Sequence, residues 1–253
     1  MARIISISNH KGGVGKTTTT ACLGAGLASK GYKVLMVDLD AQANLTASFY
    51  TPDVQEQLTR TIYDAMVEKA NLPIFQLNEN LHICPSSLNL SQLEFQLVQA
   101  YSRESILKKL LAPLVEHFDF ILLDCPPAFG LMTINAFVAS TEVFIPLVAE
   151  TLPVKGLKVM DDFLSMVKED LNPSLDITGI IITRWEGRNL NKILEDSLVE
   201  HYGDKVFKTK IRTNIAISET TYVSQDIFEY DNNSNGAKDY SELIKEVLAM
   251  KIN

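Results

Sequence analysis

The sequence predicts an α/β fold: one domain over residues 1–253, built on a mostly parallel, twisted sheet with helices on both faces. Three observations carry that expectation. Short runs rich in Ile, Leu and Val alternate along the chain with helical stretches, the rhythm of βαβ crossovers. Two such runs, residues 33–38 and 118–124, end in an acid at the strand edge where open parallel sheets keep their ligands. No repeat, linker or change of composition divides the chain, and its length suffices for one large core.

Taken in order, residues 3–8 read as a buried strand and residues 17–30 as a helix stopped by Gly31. Residues 33–38 form the second strand. Signals are sparse from 52 to 80, where one short helix is expected over 61–70. A strand follows at 81–84. Ser91 is of N-cap type with Glu94 at the capping-box position, opening a helix through Leu93 and Leu97. After a break near Ser102, helical spacing resumes at Ile106, Leu110 and Leu111. The strand at 118–124 stops at Pro126-Pro127, because proline cannot continue a ladder. Helices are expected over 133–140, 157–171 and 190–202, and strands over 143–148 and 177–183. Leu190, Ile193, Leu194 and Leu198 share one face of the 190–202 helix. An edge strand at 206–210, an Asn-rich loop at 231–236 and a helix over 239–251 close the chain.

A net charge of −8 argues against a constitutively tight nucleic-acid binder of the basic-tail kind, without excluding a local basic patch. Cys22, Cys84 and Cys125 form no paired motif and read as free thiols in a reducing compartment. No signal-peptide pattern opens the chain, and nothing approaches the ~20 apolar residues of a membrane span. A cytoplasmic protein is expected. The histidines, His10, His82, His117 and His201, lack metal-ligand spacing. The closing helix has an apolar stripe but no basic face, so it reads as core and not as a membrane anchor.

Chemistry concentrates in His10-Lys11-Gly12-Gly13-Val14-Gly15-Lys16-Thr17-Thr18, between the first strand and the first helix. Glycines let backbone N–H groups converge on an anion, and the helix N-terminus adds its unpaired N–H groups and positive dipole end. Lys16 supplies a charge for the β/γ-phosphates and Thr17 a hydroxyl for Mg²⁺, as in a P-loop nucleoside triphosphatase. Hydrolysis needs carboxylates as well. Asp124 ends an apolar strand and is the expected Walker B acid, acting on Mg²⁺ through water. Asp38 and Asp40 can divide the remaining work, one supporting the metal shell and the other orienting the attacking water. Asp124 and Asp38 could also be simple strand-end residues.

The first position of the usual G-x-x-x-x-G-K-[ST] pattern is His10, and Lys11 stands beside it. K-G-G-V-G-K-T therefore resembles the deviant Walker A motif of the ParA/MinD family. Val37-Asp38-Leu39-Asp40 is similar to that family's switch I, and the stretch from Asp124-Cys125-Pro126-Pro127 to Asn135-Ala136 resembles switch II of the small Soj-like partitioning ParA proteins. Blocks near Ile217-Ser218-Glu219 and Tyr230-Asp231 extend the likeness along the chain. No helix-turn-helix extension precedes the domain, so operator binding as a repressor is not expected.

The resemblance implies a weak ATPase that forms a homodimer around two ATP molecules with Mg²⁺. It implies that the dimer binds double-stranded DNA without sequence preference and is released by a ParB-type partner, giving a nucleoid association and no membrane contact. Lys11 would reach the nucleotide of the other subunit, Gly12 would permit the subunits' close approach, and Asp40 would activate water. Thr183 and Asn214 fall near positions that line the adenine pocket. Arg188 matches a DNA-contacting arginine. Lys205, Lys208, Lys210 and Arg212 form a run free of acids that either faces DNA or is a solvated edge strand. Ala216 and the Asn-rich loop depart from the family by replacing arginines. A MinD-like or cargo-positioning ATPase is the alternative.

Overall fold

The computed structural model describes residues 1–149 and 153–250, with side chains for all of these except 153–156. Eight strands form one sheet: β1 (Arg3–Ile7), β2 (Val34–Asp38), β3 (Phe75–Gln76), β4 (Leu81–Cys84), β5 (Phe120–Asp124), β6 (Glu142–Val148), β7 (Asp176–Trp185) and β8 (Val206–Arg212). Their spatial order is β3-β4-β2-β5-β1-β6-β7-β8, parallel throughout except for the short β3. As expected, β8 is an edge.

The helices are α1 (Lys16–Ala28), α2 (Asn44–Ala47), α3 (Pro52–Glu56), α4 (Ile62–Glu68), α5 (Leu93–Gln96), α6 (Ile106–Leu111), α7 (Leu131–Ala139), α8 (Pro153–Asp170), α9 (Asn189–Tyr202), α10 (Ile215–Val223), α11 (Ile227–Asp231) and α12 (Asn235–Ala249). The period-2 geometry of the strands sorts their side chains onto the two faces. Val34 and Met36 of β2 and Phe120 and Leu122 of β5 join Leu23 of α1 and Leu243, Ile244 and Val247 of α12. Leu35, Val37, Ile121 and Leu123 point the other way, into a cluster with Leu107 of α6, Phe137 of α7, Leu164 of α8 and Leu198 of α9. Helices thus cover both faces, which is why the central strands read as unbroken apolar runs. Tyr240, Leu243, Ile244 and Val247 of α12 are fully buried against the sheet, with Leu248 and Met250 partly buried beside them, which fits the core reading. Lys251, the predicted end of that helix, lies outside the described residues.

Several local expectations are corrected. Ser91 and Glu94 do not form a capping box: the Ser91 hydroxyl donates to Leu88 O, and Glu94 reaches across space to α7. On α9, Leu194 and Leu198 are buried while Leu190 and Ile193 are exposed, so the apolar stripe is wider than the face that packs. Helices α10 and α11 occupy a stretch between residues 215 and 231 in which no element is expected, ahead of the loop expected at 231–236. Their N-caps, Asn214 and Asp226, accept from Ile217 N and from Phe228 N and Glu229 N. Ser234 caps α12 four residues earlier than expected, accepting from Ala237 N.

Candidate active site

The strand ends set the geometry. In register, Asp38 at the end of β2 lies opposite Asp124 at the end of β5, and Asp124 lies opposite Ile7 at the end of β1. The loop from Ser8 to Gly15 leaves β1 beside Asp124, with Asp38 one strand farther off, and turns into α1. Asn9 fixes its entry, donating to Pro146 O at 2.8 Å and accepting Lys11 N at 3.0 Å. Gly15 has φ +91, a left-handed value that a Cβ would resist. Thr183 of β7 braces the loop from behind, its hydroxyl 2.9 Å from Val14 O and 3.1 Å from Leu147 O.

The loop, α10 and the β2 and β7 ends enclose a cleft of about 560 Å³, the size of a small-molecule site. Gly12, Gly13, Val14, Gly15, Lys16, Thr17, Thr18, Asp40, Thr183 and Asn214 all line it. Thr183 faces the cleft with its hydroxyl already committed to the loop, which makes it a buttress first. Asn214 also has a structural task, its Oδ1 accepting Ile217 N at 3.3 Å.

The two lysines of the loop differ in kind. Lys16 is buried, and its ammonium donates to Lys11 O at 2.9 Å. Burial pulls its pKa below the ordinary lysine value, against the opposing pull of Asp124, Cys125 and Asp40. Lys11 is exposed, and its ammonium has no ion-pair partner among the described residues. His10 packs its ring 5.6 Å from that of Phe129, and burial, then Lys11 and Lys16, lower its pKa. Neutral histidine therefore fills the place of the missing glycine and ties the loop to the segment after Asp124.

The acids are also distinct. Asp124 is completely buried. Thr20 Oγ1 lies 3.4 Å from its Oδ1, its Oδ2 is buried without any partner, and the nearby Thr17 hydroxyl favours its charged form. Burial, followed by the nearby Asp38, pushes its pKa well above the carboxylate range. Asp38 is equally buried but well supplied: its Oδ2 accepts Thr46 N at 2.9 Å and Thr46 Oγ1 at 2.7 Å, and its Oδ1 accepts Asp40 N at 3.2 Å. Burial still raises it. Asp38 does not line the cleft, and both its oxygens already accept from protein donors. Asp38 instead orients the backbone that carries Asp40. The Asp40 carboxylate opens to the cleft, its Oδ1 accepting Gln42 N at 3.0 Å.

The acid-free cationic run is acid-free only along the chain. In space Lys205 pairs with Asp176 at 2.8 Å, Lys210 with Glu195, and Arg212 makes a two-pronged pair with Asp239. Arg188 pairs with Glu186 at 2.6 Å while remaining largely exposed. Lys208 alone of these has no side-chain partner among the described residues; its backbone N–H donates to Glu246. Lys210 also sits 5.9 Å above the ring of Trp185.

Sequence reasoning did not single out Thr46, Thr20 or Arg184. Arg184 adopts φ +50 at the end of β7 and lines the cleft beside Gly13. Thr46 had no motif to announce it, since its role arises only when α2 folds back on β2. All three cysteines are buried, and burial pushes each thiol up in pKa, which leaves them inert.

Comparison with known proteins agrees with this architecture. The AAA domain family (AAA_31) matches residues 2–177. Sporulation initiation inhibitor protein Soj of Bacillus subtilis (strain 168) is 39% identical over 253 residues, covering 98% of this chain and 99% of Soj. The structure of a putative plasmid partition protein of Borrelia burgdorferi B31, bound to AMPPNP, is similar at TM-score 0.84 and 30% identity, with 100% of both chains covered. A structure of cobyrinic acid a,c-diamide synthase from Mycobacterium smegmatis with bound ADP and magnesium is similar at TM-score 0.84 and 30% identity, covering 98% of this chain and 94% of that one. With its P-loop preceded by Lys11 and its strand-end acids in register, the chain belongs to the ParA/MinD family of deviant Walker A ATPases.

Proposed function

We propose that the chain is a DNA-partitioning ATPase that dimerises on ATP, binds double-stranded DNA without sequence preference and hydrolyses ATP slowly until a ParB-type partner accelerates it. The observation that carries the reading is the contrast between the loop lysines. Lys16 is folded into its own loop, whereas Lys11 is exposed, has no ion-pair partner among the described residues and lies outside the residues that line the cleft. An ammonium so placed is free to meet phosphates presented by a second subunit, and Gly12 beside it has nothing within 4 Å of a would-be Cβ.

Within one subunit the backbone N–H groups of Gly13 to Thr18 cradle the phosphates at the α1 N-terminus. Lys16 exchanges its bond to Lys11 O for a phosphate oxygen. Mg²⁺ fits the donor set: Asp124 Oδ2 is an orphaned buried acceptor, and the Thr17 hydroxyl beside that carboxylate lines the cleft. Among the described residues no cluster of three or more acids, His or Cys offers an all-protein cage. This suits an ion held by one or two carboxylates, a hydroxyl and the nucleotide's own phosphates. Bound there, Mg²⁺ would neutralise phosphate charge and offset the cost of burying Asp124. Asp40 orients the attacking water, positioned by the Asp38–Thr46 unit behind it.

One observation favours a second reading, a cargo-positioning ATPase that docks on protein. Most cations of the expected DNA face are neutralised by acids, and the net charge is −8. Turnover measured with and without non-specific DNA, across salt concentrations, separates the two. Partitioning predicts slow turnover, DNA binding that weakens steeply with salt, and acceleration by a ParB-type protein. A high basal rate indifferent to DNA contradicts it.

A further inference from the structure

Glu94 lies on the short helix α5, outside the cleft, yet it holds the segment that leaves Asp124. Its Oε1 accepts the N–H of Leu131, the first residue of α7, at 2.7 Å. Gly130, the N-cap of α7, has no side chain to serve that end, so the cap is supplied by a residue far earlier in the chain. Residues 125–130 join Asp124 to this point. Along them Pro127 lines the nucleotide cleft, Ala128 O accepts the Thr133 hydroxyl at 2.6 Å, and Phe129 packs against His10 of the P-loop. Phe129 also stacks on Phe163 of α8 at 4.3 Å, and Glu94 holds the far end of the segment by a hydrogen bond from α5.

Gly130 leaves the room that this carboxylate occupies. Its φ of −101 and ψ of −172 are open to any residue. A Cβ there, however, would stand 2.4 Å from Glu94 Oε1. A side chain at this position would displace the carboxylate and leave the backbone as it is. Asn135 on the next turns of α7 reinforces the link, accepting Leu107 N at 3.1 Å and donating to Arg103 O at 2.9 Å.

We propose that Glu94 is a positioning residue for hydrolysis: by latching the start of α7 it sets residues 125–130 so that Asp124 and Pro127 keep their places at the nucleotide. This rests on the ATPase reading above. Glu94→Ala removes the latch directly, and Gly130→Ala expels it while leaving Glu94 intact. Each is expected to lower turnover at saturating Mg·ATP by about tenfold with KM for ATP within about twofold, the signature of lost positioning. The double variant should be no slower than either single, since both act on one contact. Glu94→Gln, whose amide oxygen still accepts the Leu131 N–H, should recover most of the rate. Hydrogen exchange at the amides of residues 125–133 should quicken in both alanine variants and return in Glu94→Gln. Unchanged turnover in Glu94→Ala, or single effects that multiply in the double variant, would overturn the proposal. A wild-type chain with no turnover overturns the ATPase reading and the positioning role with it, whereas exchange unaltered by Glu94→Ala overturns the latch alone.

Discussion

Asp124→Asn separates what the site does for stability from what it does for chemistry. The wild-type carboxylate is wholly buried with Oδ2 unpartnered, and burial together with Asp38 raises its pKa. A group raised in the folded state contributes most below its ordinary value near 3.8 and loses that contribution as pH rises through its folded pKa. An asparagine keeps the shape and carries no charge. Leaving a buried charged acceptor unsatisfied costs about 1–3 kcal/mol, so the nucleotide-free variant should be more stable than wild type by about that amount at pH 8. For a chain of this size that is about 2–4 °C in Tm per kcal/mol. The advantage should shrink as pH falls and vanish below the ordinary carboxylate range, where the wild-type acid is protonated whether folded or not. Adding Mg²⁺ with ADP should reverse the order, because ligand at a hundredfold over Kd stabilises wild type by about 2.7 kcal/mol and the variant lacks the carboxylate for the ion. Thermal unfolding at pH 8 and pH 4, with and without Mg·ADP, measures all four conditions. A variant no more stable than wild type at pH 8, or one whose advantage grows toward low pH, would refute the reasoning.

Two further outcomes follow from the same structure. Lys11→Ala should bind ATP within about threefold of wild type yet lose turnover by a hundredfold or more, on the scale of a removed transition-state charge; stopped-flow binding with a fluorescent nucleotide alongside phosphate release decides this, and near-normal turnover would remove the cross-subunit role. Gly26→Ala should destabilise the fold by about 1–3 kcal/mol in urea denaturation, as overpacking does, because a Cβ there would lie 2.2 Å from Ile244 Cδ1 where α1 meets α12; an unchanged midpoint would mean that this contact yields.

The layered fold was legible because its signals are local. Unbroken apolar runs mark strands buried on both faces, and Gly31 marks the stop of α1. The phosphate loop was equally plain, since its spacing is its mechanism. Less legible was whatever depends on two distant segments meeting. Glu94 has the sequence position of a capping box, yet its acceptor serves a helix 37 residues on. Thr46 became visible only when it covered Asp38. The cationic run from Lys205 to Arg212 looked free of acids because its partners, Asp176, Glu195 and Asp239, come from β7's start, α9 and α12. Leu190 and Ile193 have the period of a buried face, but only Leu194 and Leu198 of α9 reach the core and these two stay in solvent. Periodicity states which residues share a face and is silent about how much of that face a neighbour covers.

The central claim is a slow hydrolytic switch that works across a dimer, with Lys11 reaching between subunits and Asp40 orienting water. It is tested most directly by sedimentation velocity of the Asp40→Ala variant with Mg·ATP and with Mg·ADP. The account predicts a stable dimer with ATP, because the nucleotide is bound and not turned over, and a monomer with ADP. A variant that binds ATP with wild-type affinity and stays monomeric would contradict it.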